Sequence, residues 1–325
     1  MSARWLDYAA AIRGRVVLDR GFARALWVVP WMAWRARRRR PGTVTARIAY
    51  HPQPAGPWYT LPLALMGTGV RTVRRVADAD VVMAFDDRTR GSDPEPPSEG
   101  PRLNGRITDI SKTHVADVFA RCFGYPLAVD PTAHAGPMVE KSDINGVHDG
   151  RIVHGPLDAP RPGMVYQRLI DTTCRPGVTE ELRCTCVGGR VSVAVRKEKA
   201  DAARFAARYL STQPVDAATV LSETERARIA GFLDAMGLDV GSIDVLRDRD
   251  DGRVYVVDVN KTCMPVLSLN WRALDGVLAQ IGRDAEALIL SRRATPPAPA
   301  GDRPAPPSPM RDRTGRVAAE GRRPR

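Results

Sequence analysis

The chain has 325 residues and carries 49 Lys and Arg against 37 Asp and Glu, a net charge of +12. The excess lies at the ends: residues 1–40 hold ten arginines against two aspartates, residues 301–325 hold seven against three acids, and residues 41–300 balance at 32 of each sign. A long, electrically neutral middle can bury a large core, and it excludes a basic nucleic-acid groove on the folded body.

Residues 25–34 form the longest apolar run, but at ten residues with Pro30 inside it is too short to span a bilayer. It also lies too far from the start, and too close to Arg35–Arg40, for a signal peptide. Trp27, Trp31 and Trp34 fall at i, i+4 and i+7, which predicts a basic, Trp/Arg-rich helical segment over residues 1–43. The tryptophan face suits the chain's own core, a partner protein or an anionic membrane surface. Residues 45–50 read as a strand, 58–66 as a helix and 79–85 as a second strand, a small α/β domain over 44–108. Between them Gly67-Thr-Gly69 lacks the third glycine of a dinucleotide fingerprint and reads as a helix-to-strand turn. Residues 87–104 are a polar loop. A helix follows with Val115, Val118, Phe119 and Cys122 on one face, Lys112 at its start and Gly124 at its end.

Residues 138–141 form a strand that delivers Lys141 to a loop over 142–150 with glycines at 146 and 150, able to bring N–H groups close to phosphate. Residues 164–170 are another strand. Residues 181–187 and 190–197 flank Gly188-Gly189, which supplies the positive φ angles of a tight hairpin. Ser222 and Glu225 form a capping box for a helix with Ile229, Phe232, Leu233 and Met236 on its apolar stripe, and Gly237 ends it. Residues 242–246 and 253–260 make a second hairpin. Asp258 and Asn260 lie two apart on one face, with Asp244 across the ladder, a hard-oxygen set suited to Mg²⁺ on a nucleotide phosphate. Residues 271–293 close the body as a helix, and the Pro-, Ala- and Arg-rich residues 294–325 read as disordered. Five cysteines (Cys122, Cys174, Cys184, Cys186, Cys263) without zinc spacing point to a reduced, cytoplasmic protein, with membrane association through the basic N-terminus as the alternative. No P-loop, H-E-x-x-H or G-x-S-x-G occurs, and the calcium-loop reading of 247–252 fails because Arg247 would be its first ligand.

In this order the pieces resemble the ATP-grasp superfamily. Its members place a lysine before a glycine loop, a "V-x-Q/E-x-I" strand against adenine, an arginine in a hairpin and a "D-V/I-L … E-V-N" metal hairpin. The resemblance covers about residues 110–260 and implies an α/β (α+β) ATP-grasp fold over 109–293, behind the pre-grasp domain of 44–108. It implies ATP and Mg²⁺ as cofactors, with Lys112, Lys141, Gly146, Gln167, Arg168 and Leu169 on the nucleotide. Asp244, Asp258 and Asn260 would hold the metal, and Arg183 and Arg196 would neutralise charge during phosphoryl transfer. The implied activity is a ligase that activates a carboxylate as an acyl phosphate for attack by an amine, releasing ADP and phosphate. A hydroxyl-phosphorylating kinase and a non-catalytic ATP-binding module are the alternatives. The sequence departs from the family pattern in having Asp258 for the usual Glu, a sparser glycine loop, and Lys-Thr-Cys-Met-Pro over 261–265 with no glycine.

Overall fold

The computed structural model describes residues 20–91, 100–206 and 208–294, with side chains from residue 27 onward. All of them fall in one compact unit, Met1–Thr295. The start of the basic N-terminal segment, and the expected disordered tail beyond Ala294, lie outside the described residues.

Helix α1, Arg20–Arg39, runs through Pro30 and leads into strand β1, Ala46–Pro52. Helix α2 (Thr60–Leu65) and strands β2 (Val70–Thr72), β3 (Val81–Phe85) and β4 (Arg102–Leu103) complete a parallel sheet of order β2-β1-β3-β4. Its strands read as continuous apolar runs because both faces are covered: Ile48, Ala49 and Tyr50, and Val81 through Met83, are all buried.

Two antiparallel sheets follow helix α3, Lys112–Phe123. The smaller is β6-β5-β7, with β5 over Gly136–Ser142, β6 over Arg151–Gly155 and β7 over Met164–Arg168. The larger contains β8 (Thr173–Arg175), β9 (Val178–Val187), β10 (Arg190–Ala200), β11 (Ser211–Val215), β12 (Val240–Arg247) and β13 (Val254–Asn260). Its path is β11-β10-β9-β12-β13, with β8 also on β9. Gly188 and Gly189 both take positive φ, 60° and 76°, at the β9–β10 turn, as the strand twist demands of a two-residue loop. Short helix α4 (Ala217–Val220) precedes α5 (Glu223–Met236), where Glu225 N donates to Ser222 Oγ and Ser222 N donates to Glu225 Oε2.

Two apolar cores grip the larger sheet. On one face Phe119 and Phe123 of α3 and Phe232 and Leu233 of α5 bury Leu182, Ile243 and Tyr255. On the other, helix α6 (Trp271–Ala294) contributes Leu274, Leu278, Ile281 and Ile289 to a core shared with Ile48, Leu63 and Leu65 and with Val187 and Val195. A Cβ at Gly282 would stand 2.8 Å from Ala64 O, so α6 approaches α2 as closely as backbones allow. The C-terminal helix thus shares its core with residues from the 44–108 segment. It covers only part of the sheet face that carries Val187, Val193 and Val195, and the rest of that face is open.

Candidate active site

The pairing register determines what the open part of the face presents. Val195 lies opposite Arg183, Arg183 opposite Asp244, and Asp244 opposite Asp258, one row across four strands. Directly opposed residues of antiparallel strands project to the same side. A cleft of about 760 Å³ lies over this row, roofed by the smaller sheet. Lys112, Lys141, Gly146, Gln167, Arg168, Leu169, Arg183, Asp244, Asp258 and Asn260 all line it.

The acidic end of the row has unspent acceptors. Arg183 Nη1 donates to Asp244 Oδ2 at 2.7 Å, and Asn260 Nδ2 to Asp258 Oδ2 at 3.3 Å. The remaining oxygens, Asp244 Oδ1, Asp258 Oδ1 and Asn145 Oδ1, are buried without a hydrogen-bond donor, and of these Asp244 Oδ1 has an ion pair, with Lys197 Nζ at 3.8 Å. Each orphaned acceptor costs about 1–3 kcal/mol unless a cation or ligand meets it. Burial and the facing Asp244 charge push the Asp258 carboxyl above its ordinary range. At Asp244 burial pushes the same way, but Arg183 and Lys197 outweigh it and the carboxyl is held low. Among the described residues no three His, Cys, Asp or Glu side chains gather to hold a metal by themselves. Two carboxylates and an amide leave several positions to water and phosphate, the pattern of Mg²⁺ bound together with a nucleotide rather than in an all-protein cage.

A set of cations lines the same cleft. Lys141 Nζ donates to Val257 O at 3.2 Å, and Lys112 Nζ to Ile144 O at 2.8 Å. Burial brings the Lys141 ammonium down to about 8, with Asp258 opposing and Lys112 reinforcing that drop. Lys197 and Lys199 donate to Glu181 at 3.0 and 2.9 Å, and both ammonium groups lie over the Tyr209 ring at 5.2 and 5.4 Å. Burial alone would lower the Lys197 ammonium, but Asp244 and Glu181 hold it above its usual value. Glu181, Lys197, Lys199 and Tyr209 were not foreseen. The signal was the period-two spacing of Lys197 and Lys199 together with the pairing of Lys197 with Glu181.

Arg196 is the correction that follows. Strand alternation turns it to the opposite face from Lys197, toward Ala218, Thr219 and Ser222, where its Nε lies 3.5 Å from Glu180 Oε2. It does not line the cleft. Arg168 does, although its guanidinium is turned to Asp248 at 3.1 Å. Gln167 is buried with its Nε2 unpaired. The loop over 142–150 is held more firmly at its start than its composition suggested. Asn145 N donates to Thr89 Oγ1 at 2.9 Å, Asp143 pairs with Arg90, and Thr113 N donates to Asp143 Oδ1 at 2.9 Å. Asn145 Nδ2 also reaches Asn260 Oδ1 at 3.3 Å, tying the loop to the acidic pair. Farther along, Gly146 takes a φ of 77° with open space around it, and Val147 is exposed.

No protein-family profile and no curated protein matches the sequence. Solved structures do match. D-alanine–D-alanine ligase from Bacillus anthracis complexed with ATP is 14% identical, with 77% of this chain and 99% of that chain covered and a TM-score of 0.47. The ATP-grasp ligase PsnB complexed with precursor peptide PsnA2 and AMPPNP is 13% identical, with 74% and 99% covered and a TM-score of 0.46. PsnB complexed with a phosphomimetic variant of its minimal precursor, Mg and ADP is 17% identical, with a TM-score of 0.37 over 56% of this chain. The match spans only 59% of that PsnB chain. A Chryseobacterium gregarium RiPP-associated ATP-grasp ligase in complex with ADP and a leader and core peptide is 13% identical, with 76% and 97% covered and a TM-score of 0.45. The chain is similar in fold to ATP-grasp ligases.

Proposed function

We propose that the cleft binds ATP with Mg²⁺ and that the chain is a ligase joining a carboxylate to an amine. The observation that carries this reading is the set of three buried acceptors without a hydrogen-bond donor, Asp244 Oδ1, Asp258 Oδ1 and Asn145 Oδ1, in one cleft with Lys112, Lys141, Arg183 and Lys197. Acceptors alone suit a cation and lysines alone suit an anion. The two together suit a polyphosphate bound with its metal. Asp244, Asp258 and Asn260, with Asn145 beside them, would hold Mg²⁺, which screens the phosphate charge during transfer. Lys141 and Lys112 reach the cleft from the loop side and are placed to bind phosphate oxygens. Arg183 and Lys197 flank Asp244 on the larger sheet, at 2.7 and 3.8 Å, where they orient a carboxylate and stabilise charge as its oxygen attacks the γ-phosphorus and the bond to ADP breaks. The amine nitrogen then attacks the acyl carbon, the C–N bond forms, phosphate leaves and the amine gives up a proton. Gln167 and the backbone of residues 167–169 border the cleft where the adenine would lie.

ADP formation in the presence of carboxylate and amine pools, with free phosphate measured alongside, is the test. The ligase reading expects ADP and phosphate in equal amounts and a requirement for both substrates. ADP with a phosphorylated product and no free phosphate would make the chain a kinase. Nucleotide binding without any steady ADP formation would make it a binding module.

A further inference from the structure

Helix α1 has two apolar faces, and the body uses one of them. Val29, Met32 and Ala33 are buried, the last two in the core shared with α6. The opposite face presents Trp27, Trp34 and Trp31, which are 80%, 50% and 37% exposed, and Trp271 at the start of α6 adds a ring that is 44% exposed. Trp31 and Trp271 meet edge to face at 5.5 Å, so the two helices form one continuous patch containing four of the chain's six tryptophans. Arginines rim it: Arg38 lies over Trp34 at 4.2 Å, Arg35 over Trp31 at 4.9 Å, and Arg272 over Trp271 at 5.0 Å. Asp275 is the carboxylate beside the patch, and Arg35 and Arg39 already engage it.

We infer that this patch docks the protein on an anionic lipid surface, with the indole rings at headgroup depth and the arginines on lipid phosphates. Charge selects this occupant. A second copy of the chain, paired face to face, would set Arg35, Arg38, Arg39 and Arg272 against their own counterparts, with Asp275, already engaged by Arg35 and Arg39, as the carboxylate between them among the described residues. A nucleic acid would find Trp31, Trp34 and Trp271 each with a guanidinium already on one ring face, which leaves each a single face for stacking. A membrane interface needs neither free ring faces nor protein carboxylates. It takes amphipathic rings with neighbouring cations, and indoles are enriched there. No described helix is long and apolar enough to cross a membrane, so docking would be in the plane of the interface. Unlike the ligase proposal, it involves no residue of the cleft.

The full chain is tested for co-sedimentation with vesicles of phosphatidylcholine alone and with 30% (about one lipid in three) phosphatidylserine. Expected are binding to the anionic vesicles at least about tenfold tighter than to the neutral ones, a blue shift of tryptophan emission on binding, and release by about 1 M salt. The double variant Trp27→Ala/Trp34→Ala keeps every charge, including those of residues 301–325, and removes rings with large exposed areas. It should bind at least about tenfold more weakly with an unchanged circular dichroism spectrum and melting temperature. Binding unaffected by that variant would assign the attraction to basic segments elsewhere and overturn the inference. So would equal binding to both vesicle types, no binding, or a dimer or single-stranded DNA complex that the double variant abolishes.

Discussion

Glu140 offers a test of how the Lys141 side of the cleft is held. Its carboxylate is 1% exposed on β5, next to Lys141, and accepts from Tyr166 Oη at 2.8 Å, Arg151 Nε at 2.7 Å and Arg161 Nη1 at 2.9 Å. Burial pushes this carboxyl up, but the hydrogen bonds from Tyr166 and Arg151, together with the arginine charges, outweigh it and hold it below its ordinary value. Both arginines are more than half exposed, so each ion pair is discounted to about 0–1 kcal/mol. The buried Tyr166 bond to a charged acceptor is worth about 1.5–3 kcal/mol. Glu140→Ala should therefore destabilise the chain by about 3 kcal/mol, and Glu140→Gln, which retains an acceptor for Tyr166, by about 1–2 kcal/mol. At about 2–4 °C per kcal/mol the melting temperature of the Ala variant should fall by about 6–12 °C. A carboxyl with a depressed folded pKa contributes stability that is present above its unfolded value near 4.3 and lost as pH falls through the folded value. The gap between wild type and Glu140→Gln should then be constant from pH 8 to about 5.5 and close below about pH 4. Calorimetry across that range decides it: a gap that stays open at low pH, or no gap at pH 7, refutes the reasoning.

Three further outcomes follow from the geometry. Arg196→Ala should leave ATP turnover within a few-fold of wild type, whereas Lys197→Ala, on the cleft face of the same strand, should lower it by about 100-fold, and steady-state kinetics on both will show whether strand alternation assigned the roles correctly. Hydrogen exchange should slow over 146–150 when a non-hydrolysable ATP analogue and Mg²⁺ are added and change less over 142–145, which Thr89 and Arg90 already hold; uniform protection of the whole loop would contradict this. A Cβ on Gly237 would stand 2.6 Å from Arg106 Cβ and 2.8 Å from Arg106 C, at a φ of 70°, so Gly237→Ala should cost more than about 1 kcal/mol by denaturant unfolding.

Much of this arrangement was legible in the sequence because it rests on short-range signals. The Ser222–Glu225 capping box, the Gly188-Gly189 turn and the Asp258/Asn260 spacing each need only a few residues to specify their geometry, and each stands where it was expected. What could not be read locally depended on pairing. Arg196 and Lys197 are adjacent in a strand of charged residues, and the tertiary structure shows that the second pairs with Glu181 and lies 3.8 Å from Asp244. Strands β6 and β11 carry few apolar residues, β11 with Pro214 in it, so neither has the alternation that marks a half-buried strand. Helix α6 was found as a helix, but its partner surface on the parallel sheet lies some 200 residues earlier in the chain, and no periodicity encodes that. Asn145 sits in the loop that was singled out, yet its contact with Asn260 is a tertiary fact.

Whether the Asp244–Asp258 pair binds metal together with nucleotide decides the function of the cleft. Calorimetric titration of a non-hydrolysable ATP analogue, with and without Mg²⁺, into wild type and Asp258→Asn tests this directly. Wild type should bind at least about tenfold more tightly when Mg²⁺ is present, and the variant should lose that gain while binding metal-free nucleotide as well as wild type or better, since a negative charge facing the phosphates is gone. Nucleotide affinity indifferent to Mg²⁺ in wild type, or a metal effect of the same size in both proteins, would contradict it.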